Sequence, residues 1–249
     1  MQVKSYKTHK ITRKDTDIFR ILDGYLPKAE ENSVVAVTSK IIAICEGRLV
    51  PVGSKSKDEL VREEADYFIP KEKNQYGVYL TIKDNLLVAT AGIDESNADN
   101  NYIMWPENPQ KTANEIRVYL KKKNSVKNLG VIITDSKSTM LRWGITGASI
   151  AHSGFAALNN KIGTPDIFGK KLDVTQVNVS DALASAAVLE MGEANEQTPL
   201  AIITDIPYVE FQDRNPTEEE LSVFHYELEK DMYSILLNSA PWEEGNKKS

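Results

Sequence analysis

A buried strand that ends in an aspartate occurs twice in this sequence and restricts its fold more than any other feature. Residues 131–135 read Val-Ile-Ile-Thr-Asp, and residues 201–205 read Ala-Ile-Ile-Thr-Asp. Short apolar runs rich in β-branched residues are typical of strands in the interior of a sheet. Residues 33–39 (Ser-Val-Val-Ala-Val-Thr-Ser) predict a third strand of this kind. Amphipathic segments alternate with these runs, so we expect an α+β fold.

The remaining secondary structure is predicted from apolar spacing and from turn residues. Helical spacing indicates helices over residues 15–26, 58–69, 109–123 and 217–237, the last with Tyr226, Leu228, Met232, Leu236 and Leu237 on its apolar side. Ser180–Asp181 is expected to cap a further helix that runs to Met191 and ends at Gly192. Strands are predicted over residues 49–52, 78–82 and 86–89, the last two forming a hairpin. The tail, residues 241–249, is expected to fray.

Composition excludes several classes of protein. The chain has 249 residues, a net charge of −6 and a pI near 5.3, which argues against a nucleic-acid partner. No apolar run approaches the length of about 18 residues that spans a membrane, and the N-terminus lacks a secretory signal, so we expect a cytoplasmic protein with no membrane partner. The single cysteine, Cys45, fits a reducing compartment. Because His9, His152 and His225 lie far apart in sequence, a bound metal would be a hard cation held by oxygen.

Motifs for nucleotide binding and for covalent catalysis are incomplete. Residues 163–171 superficially resemble a Walker A loop, but five residues separate its glycines and no Ser or Thr follows the lysine, so we predict no P-loop. Ser153 lacks the Gly-x-Ser-x-Gly elbow, and Cys45 has no histidine near it in sequence. Asp135 would suit an aspartyl phosphotransferase, but the place of its second aspartate holds Lys137.

Three carboxylates stand where strands or helices are expected to give way to loops. Asp94 follows Gly92, Asp135 follows its strand, and Glu193 follows Gly192. Carboxylates together with a hydroxyl such as that of Ser136 suit Mg²⁺ or Mn²⁺, which also take water and phosphate oxygens as ligands. Spacing alone leaves a second interpretation open, in which these acids are ordinary turn and cap residues.

Four segments, taken in order, resemble the coenzyme F420-0:L-glutamate ligase family. They are residues 37–48 (Val-Thr-Ser-Lys-Ile-Ile-Ala-Ile-Cys-Glu-Gly-Arg), residues 91–97 (Ala-Gly-Ile-Asp-Glu-Ser-Asn), residues 131–136 (Val-Ile-Ile-Thr-Asp-Ser), and residues 166–175 continued by residues 182–193. The similarity extends from about Val34 to Ile203. Each segment is unspecific alone, whereas four in the same order are a specific pattern.

The resemblance implies a ligase that depends on GTP and on a divalent metal. A substrate carboxylate would attack the γ-phosphate to give an acyl phosphate, and the amine of L-glutamate would then displace phosphate to form an amide. Family members are two-lobed α+β proteins that form intertwined homodimers and lack a P-loop. By this resemblance we expect a first lobe over residues 1–80, completed by residues 197–240, and a second lobe over residues 81–196 that carries most of the metal site.

The resemblance also implies which residues form the site. The metal positions match Asp94, Asp135, Ser136 and Glu193, with Asp135 and Asp94 as the catalytic pair, and the nucleotide positions match Ser39, Lys40, Asn97, Met191, Gly192 and Glu193. Mg²⁺ or Mn²⁺ would be the cofactor and GTP the co-substrate, and K⁺ is a further candidate ion. The partners would be L-glutamate, a small-molecule acid acceptor and a second copy of the chain.

The sequence departs from the family pattern at three places and leaves the acceptor open. Ile44 stands where many members carry a basic residue, Asp84–Asn85 replaces a His-Gly pair, and residues 137–143 differ from the usual run. F420-0 and tetrahydrofolate are both candidate acceptors, and neither the choice of GTP over ATP nor the number of glutamates added follows from the sequence. A non-catalytic nucleotide- or metal-binding homologue and a metal-dependent phosphohydrolase are the competing interpretations.

Overall fold

A computed structural model describes residues 1–222 and 228–246 as a mixed α and β protein with several sheets, which confirms the predicted α+β class. The strands are β1 (Gln2–Tyr6), β2 (Ser33–Thr38), β3 (Leu49–Pro51), β4 (Tyr67–Ile69), β5 (Leu80–Lys83), β6 (Leu86–Ala89), β7 (Asn101–Ile103), β8 (Leu129–Ser138), β9 (Ile145–Ser153), β10 (Leu158–Asn160), β11 (Gln176–Asn178), β12 (Leu200–Thr204) and β13 (Glu243–Glu244). The helices are α1 (Ile18–Tyr25), α2 (Ser39–Cys45), α3 (Lys57–Glu64), α4 (Pro109–Asn124), α5 (Val179–Met191), α6 (Glu218–Ser222) and α7 (Ser234–Leu237), with 3₁₀ turns at Lys71–Lys73, Thr90–Gly92 and Leu228–Lys230.

The central sheet has five strands in the order β1-β12-β2-β8-β9. Strands β2 and β8 run parallel, from Ser33 opposite Leu129 to Thr38 opposite Thr134, and the other neighbours are antiparallel. The three predicted Val- and Ile-rich strands are therefore β2, β8 and β12, side by side in the middle of the sheet. Their continuous apolar character is explained because helices cover both faces of the sheet.

Alternate residues of the central strands enter two separate cores. Val35 and Ile133 pack with α1, α2 and α4 on one face, whereas Val34 and Ile132 pack with α5 on the other. All four side chains are fully buried. Burial of a Val or Ile side chain contributes about 1.5–3 kcal/mol, so these strands are a main source of the stability of the fold.

A second sheet, in the order β13-β4-β5-β6, contains the predicted hairpin. Strands β5 and β6 are antiparallel, and the turn between them is Asp84-Asn85, with φ angles of 47° and 60°. A two-residue hairpin turn of type I′ requires positive φ at both residues, and its twist matches that of the two strands. Asn and Asp tolerate positive φ better than most residues. The hairpin prediction is confirmed.

The helix predicted over residues 58–69 is too long. Helix α3 begins with a capping box between Ser56 and Glu59 and ends at Glu64, and Tyr67–Ile69 form β4, paired with β5. The apolar residues of this stretch pack into the second sheet, because Phe68 is 3% exposed there. Tertiary packing has overridden the helical spacing.

The long helix predicted over residues 217–237 is also wrong. The described residues form α6, the 3₁₀ turn at Leu228–Lys230 and the short α7, while residues 223–227, with Tyr226, lie outside the described part. The expected apolar side has no core to face, because Met232 and Leu236 are 82% and 58% exposed. A helix without tertiary packing is marginal in water.

Smaller differences occur at helix α5 and at the C-terminus. The N-cap of α5 is Asn178, which accepts from the Asp181 backbone N–H, and not Ser180–Asp181, whereas the predicted end at Gly192 is confirmed. The tail was expected to fray, but Glu243–Glu244 form β13, which pairs with β4. The Gly245 N–H donates to the Asp66 carbonyl. Residues 247–249 lie outside the described part.

The central sheet and the second sheet both contain strands from before and after residue 80, and the division into two lobes at this point stays a prediction. The central sheet joins β1 and β2 directly to β8 and β9, and the second sheet joins β4 to β5 and β6 across the same point. The reason is the parallel β2–β8 pair, which requires a long crossover connection between its strands. Among the described residues, no helix is both long and apolar enough to cross a membrane.

Candidate active site

An open cleft of about 760 Å³ lies where the parallel strands β2 and β8 stop pairing. In sheets with parallel strands, ligands commonly bind at the carboxyl ends of those strands. The cleft is lined by segments that are far apart in sequence. All of the predicted site residues are among the lining residues: Ser39, Lys40, Asp94, Asn97, Asp135, Ser136, Met191, Gly192 and Glu193.

Asp135 lies within a strand, and the prediction that it follows the strand is wrong. Strand β8 continues to Ser138, but its pairing with β2 ends at Thr134 and its register to β9 shifts between Ile133 and Thr134. The segment from Asp135 onward therefore pairs with β9 alone. Its side towards β2 is free to border the cleft.

The carboxylate of Asp135 is fixed by two donors. Oδ2 accepts from the indole Nε1–H of Trp105, and Oδ1 accepts from the Ser136 backbone N–H at 2.9 Å. Burial raises the pKa of Asp135 to about 6, the charge of Asp94 adds to the rise, and both hydrogen bonds and Lys40 oppose it. A cation in the cleft would offset this cost, because an adjacent positive charge favours the ionised carboxylate.

Asp94 forms an ion pair with Lys40. The distance between Lys40 Nζ and Asp94 Oδ2 is 2.5 Å, and Oδ1 accepts from the Ser96 backbone N–H at 2.7 Å. Burial acts to raise the pKa of Asp94, but Lys40 and the Ser96 bonds outweigh it, and the pKa is lowered. The backbone of Asp94 is bonded to Ile103 in both directions, which fixes the turn.

Glu193 and Asn97 connect the loop after α5 to the rest of the site. The Ser136 hydroxyl donates to Glu193 Oε1 at 2.5 Å, and Asn97 Nδ2 donates to the Ala194 carbonyl at 2.8 Å. Gly192 ends α5 with a φ of 79°, a conformation that favours glycine. Met191 borders the cleft, but its side chain is 3% exposed and belongs to the core below α5.

The residues fit a hard divalent cation in donor type. Asp94, Asp135, Ser136 and Glu193 supply only oxygen, which Mg²⁺ and Mn²⁺ prefer. Within the described residues, however, no group of three or more acidic, histidine or cysteine side chains stands close enough to hold a metal. The acids occur as Asp94 near Asp135 and as Glu193 bonded to Ser136, so water and substrate oxygens would have to complete the coordination.

Four lysines give the cleft positive charge despite the acidic chain. Lys40, Lys57 and Lys137 each have a carboxylate partner, at 2.5 Å, 3.9 Å and 3.7 Å respectively. Among the described residues, Lys10 has no carboxylate within 4.0 Å, and it borders the cleft beside Ile44. Lys10 is therefore the lysine most available to an anionic ligand.

The sequence reasoning missed Trp105 and Lys10. Trp105 belongs to no catalytic motif, and its one signal is general, since a buried indole N–H usually requires an acceptor. Lys10 lies in the irregular segment after β1, where no spacing rule applies.

The three departures from the family pattern fall at different places. Ile44 is buried at the edge of the cleft. The stretch 137–143 forms the exposed end of the β8–β9 hairpin, where Leu141 is 98% exposed. Asp84 and Asn85 form the β5–β6 turn and do not line the cleft. Two of the departures therefore adjoin the candidate site.

The fold and the cleft together define a class: a mixed α and β protein whose polar cleft combines carboxylates with lysines, suited to a small anionic ligand and a hard cation. Residues 5–205 match the model of the F420-0:Gamma-glutamyl ligase family, and the chain belongs to that family. This confirms the resemblance that the four sequence segments indicated.

Several similar proteins are named Coenzyme F420:L-glutamate ligase. The one from Methanococcus maripaludis (strain C7) is 34% identical over 209 residues, 80% of this chain and 79% of that protein. The one from Methanocaldococcus jannaschii is 31% identical over 214 residues, 77% of this chain and 85% of that protein. The one from Methanopyrus kandleri is 37% identical over 156 residues, 62% of this chain and 58% of that protein.

Proposed function

We propose that the protein is an acid–amino-acid ligase that uses GTP and a divalent metal to join L-glutamate to a small-molecule acid, with F420-0 as the first candidate acceptor. The names of its relatives support the glutamate and F420 assignment. One structural observation carries the proposal: residues from four separate stretches of chain, chosen from sequence as metal and nucleotide positions, line the same cleft.

The proposed reaction has two steps. A carboxylate oxygen of the acceptor attacks the γ-phosphorus of GTP, and GDP leaves with the electrons of the broken P–O bond. The amine of L-glutamate then attacks the acyl carbon and loses a proton, and inorganic phosphate leaves as the amide forms. Little covalent chemistry is required of the protein, since phosphoryl transfer depends mainly on positioning and charge.

The residues of the chain would have distinct parts in this reaction. Lys40 and Ser39 at the start of α2, with Asn97 and residues 191–193, would hold the nucleotide, and Lys10 would add charge at the edge of the cleft. Asp94, Asp135, Ser136 and Glu193 would hold Mg²⁺ or Mn²⁺. Such an ion, when bound, neutralises charge that develops on the phosphate oxygens.

The direct test is glutamylation. The protein is incubated with GTP, Mn²⁺, L-glutamate and F420-0, and the mass of the acceptor and the released phosphate are measured. We expect one glutamyl residue to be added per phosphate released, and no phosphate without L-glutamate. Parallel reactions with tetrahydrofolate and with ATP decide the acceptor and the nucleotide. GTP binding without any product would favour the non-catalytic homologue, and phosphate release from simple esters would favour a phosphohydrolase.

The intertwined homodimer is part of the same proposal. It is supported by large apolar side chains that are exposed at two loops: Leu141 and Trp143 at the end of the β8–β9 hairpin, and Ile167 and Phe168 between β10 and β11. Exposed apolar side chains in such numbers often mark an interface. Sedimentation should give twice the chain mass of 27.8 kDa, and a monomer would contradict the proposal.

A further inference from the structure

Trp105 stands behind the cleft and contacts Asp135 without lining the cleft itself. The tryptophan follows β7 and is 3% exposed. Its Nε1–H donates to Asp135 Oδ2, which leaves Oδ1 with the Ser136 backbone N–H. Each carboxylate oxygen therefore has one protein donor, and the plane of the carboxylate is fixed relative to the cleft.

The backbone of Gly92 packs against the indole, and Arg48 holds the main chain of Trp105. Gly92, with a φ of 69°, approaches the ring so closely that an added Cβ would lie 2.1 Å from Trp105 Nε1. Arg48 Nε donates to the Trp105 carbonyl at 3.1 Å. Only a glycine at position 92 allows the indole N–H to reach Asp135, because any side chain there would occupy its place.

A buried set of charges supports the same ring. Lys83 Nζ lies 5.3 Å from the indole centre, and the Lys83 side chain is 4% exposed. Lys83 and Arg48 both bond to Glu64, Arg48 at 2.8 Å. Buried charges persist only with good partners, and a cation near an indole is favourable, so these groups restrict Trp105 to one orientation.

We propose that Trp105 is a positioning residue for the site: its indole N–H sets the orientation in which Asp135 presents its carboxylate to the cleft. The consequence for catalysis rests on the proposed function, whereas the hydrogen bond does not. Groups that orient a metal-binding carboxylate typically change affinity or activity about 10–100-fold when removed.

The hydrogen bond is tested by ¹H–¹⁵N NMR of the full chain. The sequence has three tryptophans, so three indole N–H signals are expected, and the signal lost in Trp105→Phe identifies that of Trp105. Asp135→Asn should move this signal upfield, because a charged acceptor becomes neutral, and should leave the Trp242 signal in place. A Trp105 signal that does not respond to Asp135→Asn would overturn the inference.

The positioning role is tested with a matched pair of variants. Trp105→Phe keeps an aromatic ring but removes the donor, and Trp242→Phe removes an indole bond to the Leu237 carbonyl far along the chain. Calorimetry with Mn²⁺ alone should show about 10–100-fold weaker binding for Trp105→Phe and wild-type binding for Trp242→Phe. Glutamylation should fall by a similar factor, with no further loss when Trp105→Phe is added to Asp135→Asn.

Equal Mn²⁺ binding and turnover in wild type and Trp105→Phe would refute the positioning role, as would an equal loss in both tryptophan variants. A failure of the proposed function is distinguishable from both results. In that case the wild type glutamylates no acceptor, yet the NMR signal of Trp105 still reports whether its N–H bonds to Asp135.

Discussion

At the scale of single residues, the sequence located the acids but not the groups that control them. Asp135 could be chosen because it follows a buried apolar run, and Asp94 because it follows a Gly-containing turn. Trp105 and Lys10 could not, since Trp105 reaches Asp135 and Lys10 reaches the cleft only through the packing of distant segments. Sequence patterns reveal local periodicity, whereas the contact of Asp135 with an indole 30 positions away depends on the tertiary fold.

Asp135→Asn should separate function from stability. The substitution removes a proposed anionic ligand of the metal, and turnover should fall by about 100-fold or more, because several kcal/mol of charge stabilisation would be lost. The folded-state pKa of about 6 lies above the ordinary value of 3.8, so at pH 7.5 the buried charge lowers the stability of the metal-free protein by up to about 3 kcal/mol. We therefore expect an unchanged or higher urea midpoint for the variant. Full activity, or a large drop in the midpoint, would contradict this role.

Lys10→Gln should weaken nucleotide binding modestly. An exposed charge contributes about 0.2–1 kcal/mol, which corresponds to about a 1.4- to fivefold increase in the Kd of a non-hydrolysable GTP analogue. Ile44 borders the same edge of the cleft, so Ile44→Lys should restore affinity in the Lys10→Gln background. Lys7→Gln, an exposed lysine that does not line the cleft, is the control. Equal affinity in all variants would remove Lys10 from the site.

At the scale of elements, prediction succeeded where local pattern and burial agree. Strands β2, β8 and β12 and helix α5 are apolar because they are buried in the centre of the molecule. Prediction failed at Tyr67–Ile69, where pairing with β5 overrode helical spacing, and over residues 228–237, where apolar side chains face solvent. Neither sheet pairing nor the absence of a covering core can be read from a window of ten residues.

Ile133→Ala tests the central strand. Ile133 is fully buried between β2 and helix α4, and removal of its side chain should lower the free energy of unfolding by about 2–5 kcal/mol through lost burial and a cavity. Urea denaturation measures this loss. Leu189→Ala, at a side chain that is 87% exposed, should change the free energy by less than about 0.5 kcal/mol. Comparable losses in the two variants would show that β8 is not in the core.

At the scale of the whole molecule, the parallel pair β2–β8 explains how the site is assembled. It brings Ser39 at the start of α2 beside Asp135, although 96 positions separate them in sequence. The long crossover supplies Asp94 and Asn97 to the cleft and Trp105 to Asp135. The residues selected through the family resemblance line one cleft, and the sheet order explains why they meet.

At the scale of the whole molecule, His152 should act against the stability of the fold in mild acid, opposite in sign to the effect of Asp135. This side chain is 2% exposed, and burial lowers its pKa to about 4, against an ordinary value of 6.5. Below pH 6.5 the unfolded chain takes up a proton at His152 that the folded protein excludes, so this group lowers the free energy of unfolding by up to about 3 kcal/mol as the pH falls to 4. Urea unfolding of wild type and His152→Gln is compared at pH 7.5 and 4.5. Since glutamine does not titrate, the variant should lose less stability between these two pH values, and an equal loss would exclude His152 as the cause.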